Sequence, residues 1–148
     1  MDYDATPAAA FGHALTGLSL NLLVRDVAGE AAFLRTVFGM AVHRLSPDFA
    51  ILVYAGQLIQ LHADATFAAH PLHALLPEAG PRGAGAELRL HETDPDDACA
   101  RAAAFGGGVV LAPPRDKAAH GLREAVILSP AGYAWVPSRR IQGMQKIG

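Results

Sequence analysis

Cysteine is nearly missing from this sequence, with Cys99 the one example among 148 residues. A single thiol excludes an intramolecular disulfide and any zinc site built from several cysteines. Cys99 lies in an alanine-rich stretch typical of a helix, where a small buried thiol is the simplest interpretation. This cysteine usage favours a reducing compartment, and we expect a cytoplasmic protein.

An excess of charge and a long apolar run are also missing. Twelve Lys and Arg against 14 Asp and Glu give a net charge of -2, so nothing indicates nucleic acid or an anionic membrane as a partner. No apolar run is long enough to span a membrane, and the first residues are acidic where a signal peptide would be basic. With 51% hydrophobic residues, the chain can bury the core of one globular domain. A small molecule is the expected partner.

The chain repeats a strand-helix pattern. The segments GLSLNLLVRD (17–26) and GAELRLHETD (85–94) each begin with glycine, end with aspartate and carry leucines at matching positions. The alternation of their side chains predicts a strand in both. A helix-like run follows each aspartate and ends in Phe-Gly, at 38–39 and at 105–106. The aspartates suit helix N-caps, and the glycines suit the left-handed residue that ends a helix.

Three further strands follow in each half of the chain. They are MAVHRL, FAILVY and QLIQLH in the first half and GVVLAP, REAVIL and YAWVP in the second. Each half is therefore predicted as a β-α-β-β-β module. Because one helix covers only one face of a four-stranded sheet, the two modules should pack together in a single domain, 1–148. We place the first module at about 16–64, a crossover at 65–83 and the second module at about 84–138.

The segments outside the repeat bear on assembly. The crossover is rich in Pro, Ala and Gly and is predicted to cross the surface, with a helical turn near 72–76. The terminal segments, 1–14 and 139–148, have no counterpart in the repeat, and we expect them to be frayed or to pack on a second subunit. These features together predict a homodimer.

The repeat, together with HGLREAVILSPAGYAW (120–135), resembles the vicinal oxygen chelate superfamily, which includes glyoxalases, bleomycin resistance proteins and extradiol dioxygenases. The resemblance covers roughly 16–138. It implies an α+β fold, in which two βαβββ modules form a cupped eight-stranded mixed sheet with the helices outside and the ligand in the cup. One turn departs from the pattern, since SPAG (129–132) stands where relatives usually have Asp-Pro-Asp-Gly.

The resemblance also implies where metal-dependent relatives place four metal ligands. These positions fall on Ser19, Gln60, Glu87 and Val136. Valine cannot coordinate a metal, and serine is a poor ligand for a divalent transition metal. Gln60 and Glu87 remain as weak metal candidates, so we expect neither a metal ion nor another cofactor.

Strand periodicity places more polar side chains on the face that the family uses for binding. The set predicted to bind a ligand on the strands is Ser19, Asn21, Gln60, His62, Glu87 and Arg89. These side chains could line a polar cup, in which Arg89 would hold an anionic group of a small polar molecule. The alternative is a solvated face on which Glu87 and Arg89 form a surface ion pair.

His120 is the remaining candidate. It precedes Gly121 in the loop before a late strand, where it is either a ligand-binding general acid or base or a loop-capping residue. Two functions are left open. One is a metal-independent small-molecule binding protein of the glyoxalase/bleomycin-resistance type. The other is a glyoxalase-, lyase- or dioxygenase-like enzyme that uses a divalent metal, or uses Glu87 or His120 as the base. The incomplete metal set favours the first.

Overall fold

The computed structural model describes residues 1–143 and follows the order of the repeat. A short helix, α1 (Ala8–Ala14), precedes the first module. The elements of the first module are β1 (Leu20–Val24), α2 (Val27–Phe38), β2 (Ala41–His43), β3 (Phe49–Tyr54) and β4 (Gln57–Ala63). Those of the second are β5 (Gly83–Leu90), α3 (Pro95–Phe105), β6 (Val109–Lys117), β7 (Leu122–Leu128) and β8 (Tyr133–Arg140). Short 3-10 turns span Asp64–Phe67, His73–Leu75 and Ala118–His120.

The strands form two mixed sheets of four. Their orders are β1-β4-β3-β2 and β5-β8-β7-β6, with β1 parallel to β4 and β5 parallel to β8. The remaining neighbours are antiparallel. This arrangement confirms the predicted α+β fold of two βαβββ modules. Within residues 1–143, the hydrogen-bonded ladders stay inside each module, so the eight strands make two sheets and not one continuous ladder.

Three of the four predicted helix-end signals are confirmed, and the exception is Gly106, whose φ of 76° and ψ of 174° lie outside the left-handed helical conformation. Asp26 Oδ1 accepts a hydrogen bond of 3.0 Å from the Gly29 N–H, and Asp94 Oδ1 accepts one of 2.8 Å from the Asp96 N–H. These bonds satisfy N–H groups that have no partner within the helix. Gly39 ends α2 in the left-handed conformation, with φ 74°. Such a conformation favours glycine, which has no Cβ to clash.

One core joins the two modules. It lies between the helices and the sheets, and it includes buried side chains from both modules. The Phe33 and Phe105 rings are 5.4 Å apart, edge to face, and the Phe38 and Trp135 rings are 5.8 Å apart. Trp135 is fully buried there. Because α2 and α3 share this core, neither module would bury its apolar face alone.

One tyrosine of each module forms hydrogen bonds to the other module. The Tyr133 hydroxyl donates a hydrogen bond of 2.8 Å to the Leu23 carbonyl oxygen. The Tyr54 hydroxyl lies 2.8 Å from Thr93 Oγ1 and accepts a hydrogen bond of 3.0 Å from the Glu92 N–H. These bonds link β8 to β1 and the end of β3 to the turn after β5, which helps to fix how the two sheets meet.

The structure also describes most of the segments that lie outside the repeat. The helical turn predicted near 72–76 is present at His73–Leu75. Strand β8 takes in residues 139 and 140, whereas 144–148 of the predicted C-terminal segment lie outside the described residues. No helix within residues 1–143 has the length and apolar character to cross a membrane.

Candidate functional site

The first sheet has one face on α2 and one turned away from it, which we call the inner face. Leu22, Leu52 and Leu61 belong to the core on the α2 side. Side chains alternate along a strand, so their neighbours in sequence lie on the inner face. The strand register places a row of four there: His43, Ile51, Gln60 and Asn21. The structure therefore puts Asn21 and Gln60 side by side, on the face that the sequence predicted.

The N-terminal segment, residues 1–16, packs on this inner face through His43. Asp4 Oδ2 lies 2.9 Å from His43 Nδ1, and Asp4 Oδ1 accepts a hydrogen bond of 2.9 Å from the Arg44 N–H. The Tyr3 ring lies 5.3 Å from the His43 ring. Beside His43 in the row, Ile51 is fully buried. The expectation that 1–14 would be frayed was wrong, because a hydrogen bond between Asp4 and His43 and a ring contact hold the segment to its own sheet. Packing of this segment on a second subunit stays a prediction.

His62 also lies on the inner face, at the crossover side. Its ring is 5.1 Å from the Phe49 ring and 5.2 Å from the Phe67 ring. Its Nε2 is buried and has no hydrogen-bond partner within residues 1–143. Burial lowers the pKa of His62, because a charged imidazolium is costly away from water. A neutral ring packed between two aromatic rings is the role that these contacts support.

A cavity of about 780 Å³ lies between the N-terminal segment, the starts of β1 and β4 and the end of β5. Most of its wall is apolar, from Phe11, Leu15, Leu20, Leu58, Ile59 and Leu88. Its polar groups include Tyr54, Arg89, His91 and Glu92 near the end of β5, and Thr16, Ser19 and Gln57 near the starts of β1 and β4. A large apolar cavity with a few polar groups is the usual form of a small-molecule site.

The cavity brings together only part of the predicted set. Within the described residues, Ser19 and Arg89 line it. The others do not: Asn21, Gln60, His62, Glu87 and His120. Sequence analysis missed the N-terminal wall, where Tyr3 and Phe11 contribute aromatic rings. The available signal was the occurrence of these two aromatic residues in a segment that has no repeat partner.

Arg89 is fixed by two carboxylates. Its Nη1 lies 3.3 Å from Glu87 Oε2, so the ion pair weighed in the sequence analysis is present. Its Nη2 also pairs with Glu124, a partner that the sequence did not predict. Glu124 is the more buried of the two, with 15% of its side chain exposed against 58% for Glu87. The positive charge of Arg89 is therefore compensated before any ligand binds.

His91 directly follows β5, and a hydrogen bond with a buried side chain also holds its ring. Its Nδ1 lies 3.1 Å from Ser138 Oγ, and Ser138 is fully buried on β8. A hydrogen bond at one ring nitrogen orients the imidazole and leaves the other nitrogen available. His91 lines the cavity, so that nitrogen can serve a polar group of a ligand.

The residues at the metal positions of the family do not fit a metal ion. Val136 has a hydrocarbon side chain and is fully buried. Gln60 has Asn21 as its neighbour across the ladder, and Glu87 is paired with Arg89. Within residues 1–143, no three His, Cys, Asp or Glu side chains converge as metal ligands would. The donor set is thus too poor in nitrogen and carboxylate oxygen for a transition metal.

His120 and Cys99 stand apart from the cavity. His120 ends a 3-10 turn on the surface, followed by Gly121 with φ 70°. Within the described residues its side chain makes no hydrogen bond that would orient it as a general base. Cys99 is partly buried in α3, and burial raises the pKa of its thiol, as expected for an unreactive packing residue.

Comparison with known proteins identifies the fold. No protein-family model matches the sequence, and no curated protein does. Among solved structures, a glyoxalase/bleomycin resistance protein/dioxygenase family enzyme from Burkholderia phytofirmans PsJN is 21% identical, covering 83% of this chain and 97% of its own, with a TM-score of 0.70. A glyoxalase/bleomycin resistance protein/dioxygenase from Nocardioides is 20% identical, covering 93% and 95%, with a TM-score of 0.63. TioX from Micromonospora sp. ML1 is 20% identical, covering 86% and 100%, with a TM-score of 0.60.

These likenesses show that the chain has the fold of the glyoxalase, bleomycin resistance and dioxygenase proteins, the one that its resemblance to the vicinal oxygen chelate superfamily implied. One fold of this kind can carry many activities. The fold alone therefore does not determine the function.

Proposed function

We propose that this chain is a metal-independent binding protein that holds a small molecule in the cavity beneath its N-terminal segment. The observation that supports this most directly is the cavity itself, with about 780 Å³ and a mainly apolar wall. Small-molecule sites typically enclose about 300–1,000 Å³ and place a few polar groups in an apolar lining. The cavity volume therefore lies within the range of sites that bind one small molecule.

The lining suggests what kind of molecule binds. Leu58 and Leu88 offer an apolar wall, whereas Arg89 and His91 offer hydrogen bonds at one end. A guanidinium has five N–H donors, and its two carboxylate partners leave some of them available. We infer an amphiphilic ligand, with an apolar body and a small polar or anionic group at Arg89.

The enzyme alternative has less support from the geometry. Neither Glu87 nor His120 lines the cavity within the described residues, so neither is placed to move a proton of a molecule bound there. Glu87 is also engaged by Arg89. Homodimeric assembly and a cytoplasmic location stay predictions from the sequence. A monomer mass by light scattering across micromolar concentrations would contradict the dimer.

Titration with a fluorescent amphiphile, anilinonaphthalene sulfonate, tests the proposal. We expect saturable binding to the wild type at one site per chain. Leu58→Trp should abolish it by filling the cavity from its wall. Val109→Trp is the matched control, because Val109 is an exposed apolar residue of β6 outside the cavity lining. Dye binding that survives Leu58→Trp, or that is lost equally in both variants, would refute the proposed site.

A further inference from the structure

One wall of the cavity is a segment that the two-module repeat does not include. Met1, Tyr3 and Phe11 of the N-terminal segment face the cavity together with side chains of β1, β4 and β5. Phe11 is the buried residue of α1. The cavity would be an open groove without this segment, because the strands supply only its remaining walls.

Besides the buried Phe11 ring and the Tyr3 ring contact, a small number of polar contacts hold the segment to the sheet. Asp4, whose side chain is 62% exposed, binds His43 Nδ1 and the Arg44 N–H, and the Arg44 guanidinium donates to the Thr6 carbonyl oxygen. The hydrogen bond from His43, followed by that from Arg44, lowers the pKa of Asp4. The carboxylate thus stays charged at neutral pH. Polar contacts of a solvent-exposed carboxylate are nevertheless weak, because water competes for it.

Helix α1 has little stability of its own. It has seven residues, and Pro7 at its N-cap makes no side-chain hydrogen bond to it. Gly12 lies within it, and isolated helices this short do not persist in water. It is joined to β1 through Gly17, with φ +67°, next to Leu18, which is 86% exposed. The segment can therefore detach at this glycine without disturbing the sheet.

We propose that residues 1–16 form a lid that opens to admit the ligand and closes over it. The contacts of Asp4 with His43 and Arg44 hold the lid closed. The identity of the cavity as a binding site rests on the proposed function. The opening itself is a property of the chain alone, since it depends on the Asp4 contacts and on the weakness of α1. The rings of Tyr3 and Phe11 then limit the length of the ligand that the closed cavity can hold.

Thiol protection measures the opening without any ligand. In a Cys99→Ala background, Leu58→Cys places one thiol on the cavity wall. Its thiolate attacks the aromatic disulfide dithiobisnitrobenzoate, forms a mixed disulfide and releases one coloured thionitrobenzoate. We expect Asp4→Asn to raise this rate about two- to fivefold, the range set by the loss of one exposed charged contact. Deleting residues 1–14 should raise it further.

Glu78→Gln is the matched control, since it also removes one negative charge from an exposed carboxylate, one with no hydrogen-bond partner within residues 1–143. It should leave the rate unchanged. Equal rates in the parent, Asp4→Asn and the deletion would overturn the lid, as would an equal acceleration by Glu78→Gln. If the deletion does not fold, Asp4→Asn decides alone. Saturable dye binding without a change in thiol rate would refute the lid but not the binding site. A faster thiol reaction in Asp4→Asn without dye binding would refute the binding site but not the lid.

Discussion

The Glu30 carboxylate accepts a hydrogen bond of 2.8 Å from the Ala131 N–H, which ties α2 of the first module to a turn of the second. Glu30 is 1% exposed, and its other oxygen, Oε1, has no partner within residues 1–143. Burial raises the pKa of Glu30 above its ordinary value. This residue therefore joins the modules at the cost of burying an acidic group.

Replacing Glu30 should separate these two effects. Glu30→Ala leaves the buried Ala131 N–H without a partner, and we expect the free energy of unfolding to fall by about 1–3 kcal/mol. Glu30→Gln keeps an acceptor for that N–H and removes the titrating proton. Denaturant unfolding of the purified variants measures both changes.

The pH dependence of Glu30 has a definite sign. Its folded pKa lies above the unfolded one, so its contribution to stability is present at low pH and is lost as the pH rises above about 4.5 through the folded value. Wild type should therefore lose stability relative to Glu30→Gln between acidic and neutral pH. A constant difference between the two curves would show that Glu30 titrates alike in the folded and unfolded chains.

Asp64, at the start of the crossover, forms a bidentate ion pair with Arg82. Its two oxygens lie 2.7 and 2.8 Å from the guanidinium nitrogens of Arg82, a side chain that is 2% exposed. The hydrogen bonds from Arg82 lower the pKa of Asp64. We expect Asp64→Asn to cost about 1.5–3 kcal/mol at neutral pH, the usual value of a hydrogen bond to a charged group.

Acid should erase the effect of Asp64→Asn. The folded pKa lies below the unfolded one, so the contribution is present above about pH 3.8 and is lost as the pH falls through the folded value. The gap between wild type and variant should close in that direction. Asp48→Asn, at an exposed carboxylate with no hydrogen-bond partner in the described part of the chain, should show no gap at any pH. A gap that persists in strong acid would mean that packing, and not charge, is lost.

Much of the fold could be predicted because its signals are local. Asp26 and Gly39 mark the ends of α2 within a dozen residues, and the repeat marks the start of α3 in the same way at Asp94. Strand alternation also placed Asn21 and Gln60 on one face correctly. These features depend on neighbours in sequence or on a period, and both are visible in the letters.

The candidate site depended on contacts that have no such period. Asp4 contacts His43, which is 39 positions away in the sequence, and Arg89 contacts Glu124, which is 35 positions away. Neither pairing follows from spacing, since it arises only when the segments fold together. The polar inner face was predicted, but the N-terminal segment that covers part of it belongs to no repeat. The cavity next to this segment includes Ser19 and Arg89 but not Gln60.

Purified protein should hold no stoichiometric divalent metal. Val136 and Ser19 stand at two of the four ligand positions of the family, and neither side chain is a good metal ligand. Elemental analysis of protein purified without chelator checks this, with Glu87→Ala as the comparison. About one tightly held ion per chain that is lost in Glu87→Ala would contradict the expectation and would reopen the enzyme alternative.

The last prediction concerns the charge at the polar end of the cavity. Two dyes share an apolar body, but anilinonaphthalene sulfonate carries an anionic group and N-phenylnaphthylamine does not. If Arg89 binds the anionic group, Arg89→Ala should weaken the sulfonate dye by about 1.5–3 kcal/mol and leave the neutral dye nearly unchanged. Arg115→Ala, at an exposed arginine outside the cavity lining, controls for the loss of one positive charge.

Glu124→Gln should change the same measurement in the opposite direction. Glu124 is the more buried partner of Arg89, and neutralising it frees the guanidinium to attract an anion. We therefore expect the sulfonate dye to bind more tightly to Glu124→Gln than to wild type, with the neutral dye as the reference. If Arg89→Ala weakens both dyes equally, Arg89 shapes the cavity only through its pairing with Glu87 and Glu124. A ligand without an anionic group would then fit the site better, because the positive charge of Arg89 is already compensated by its two carboxylate partners.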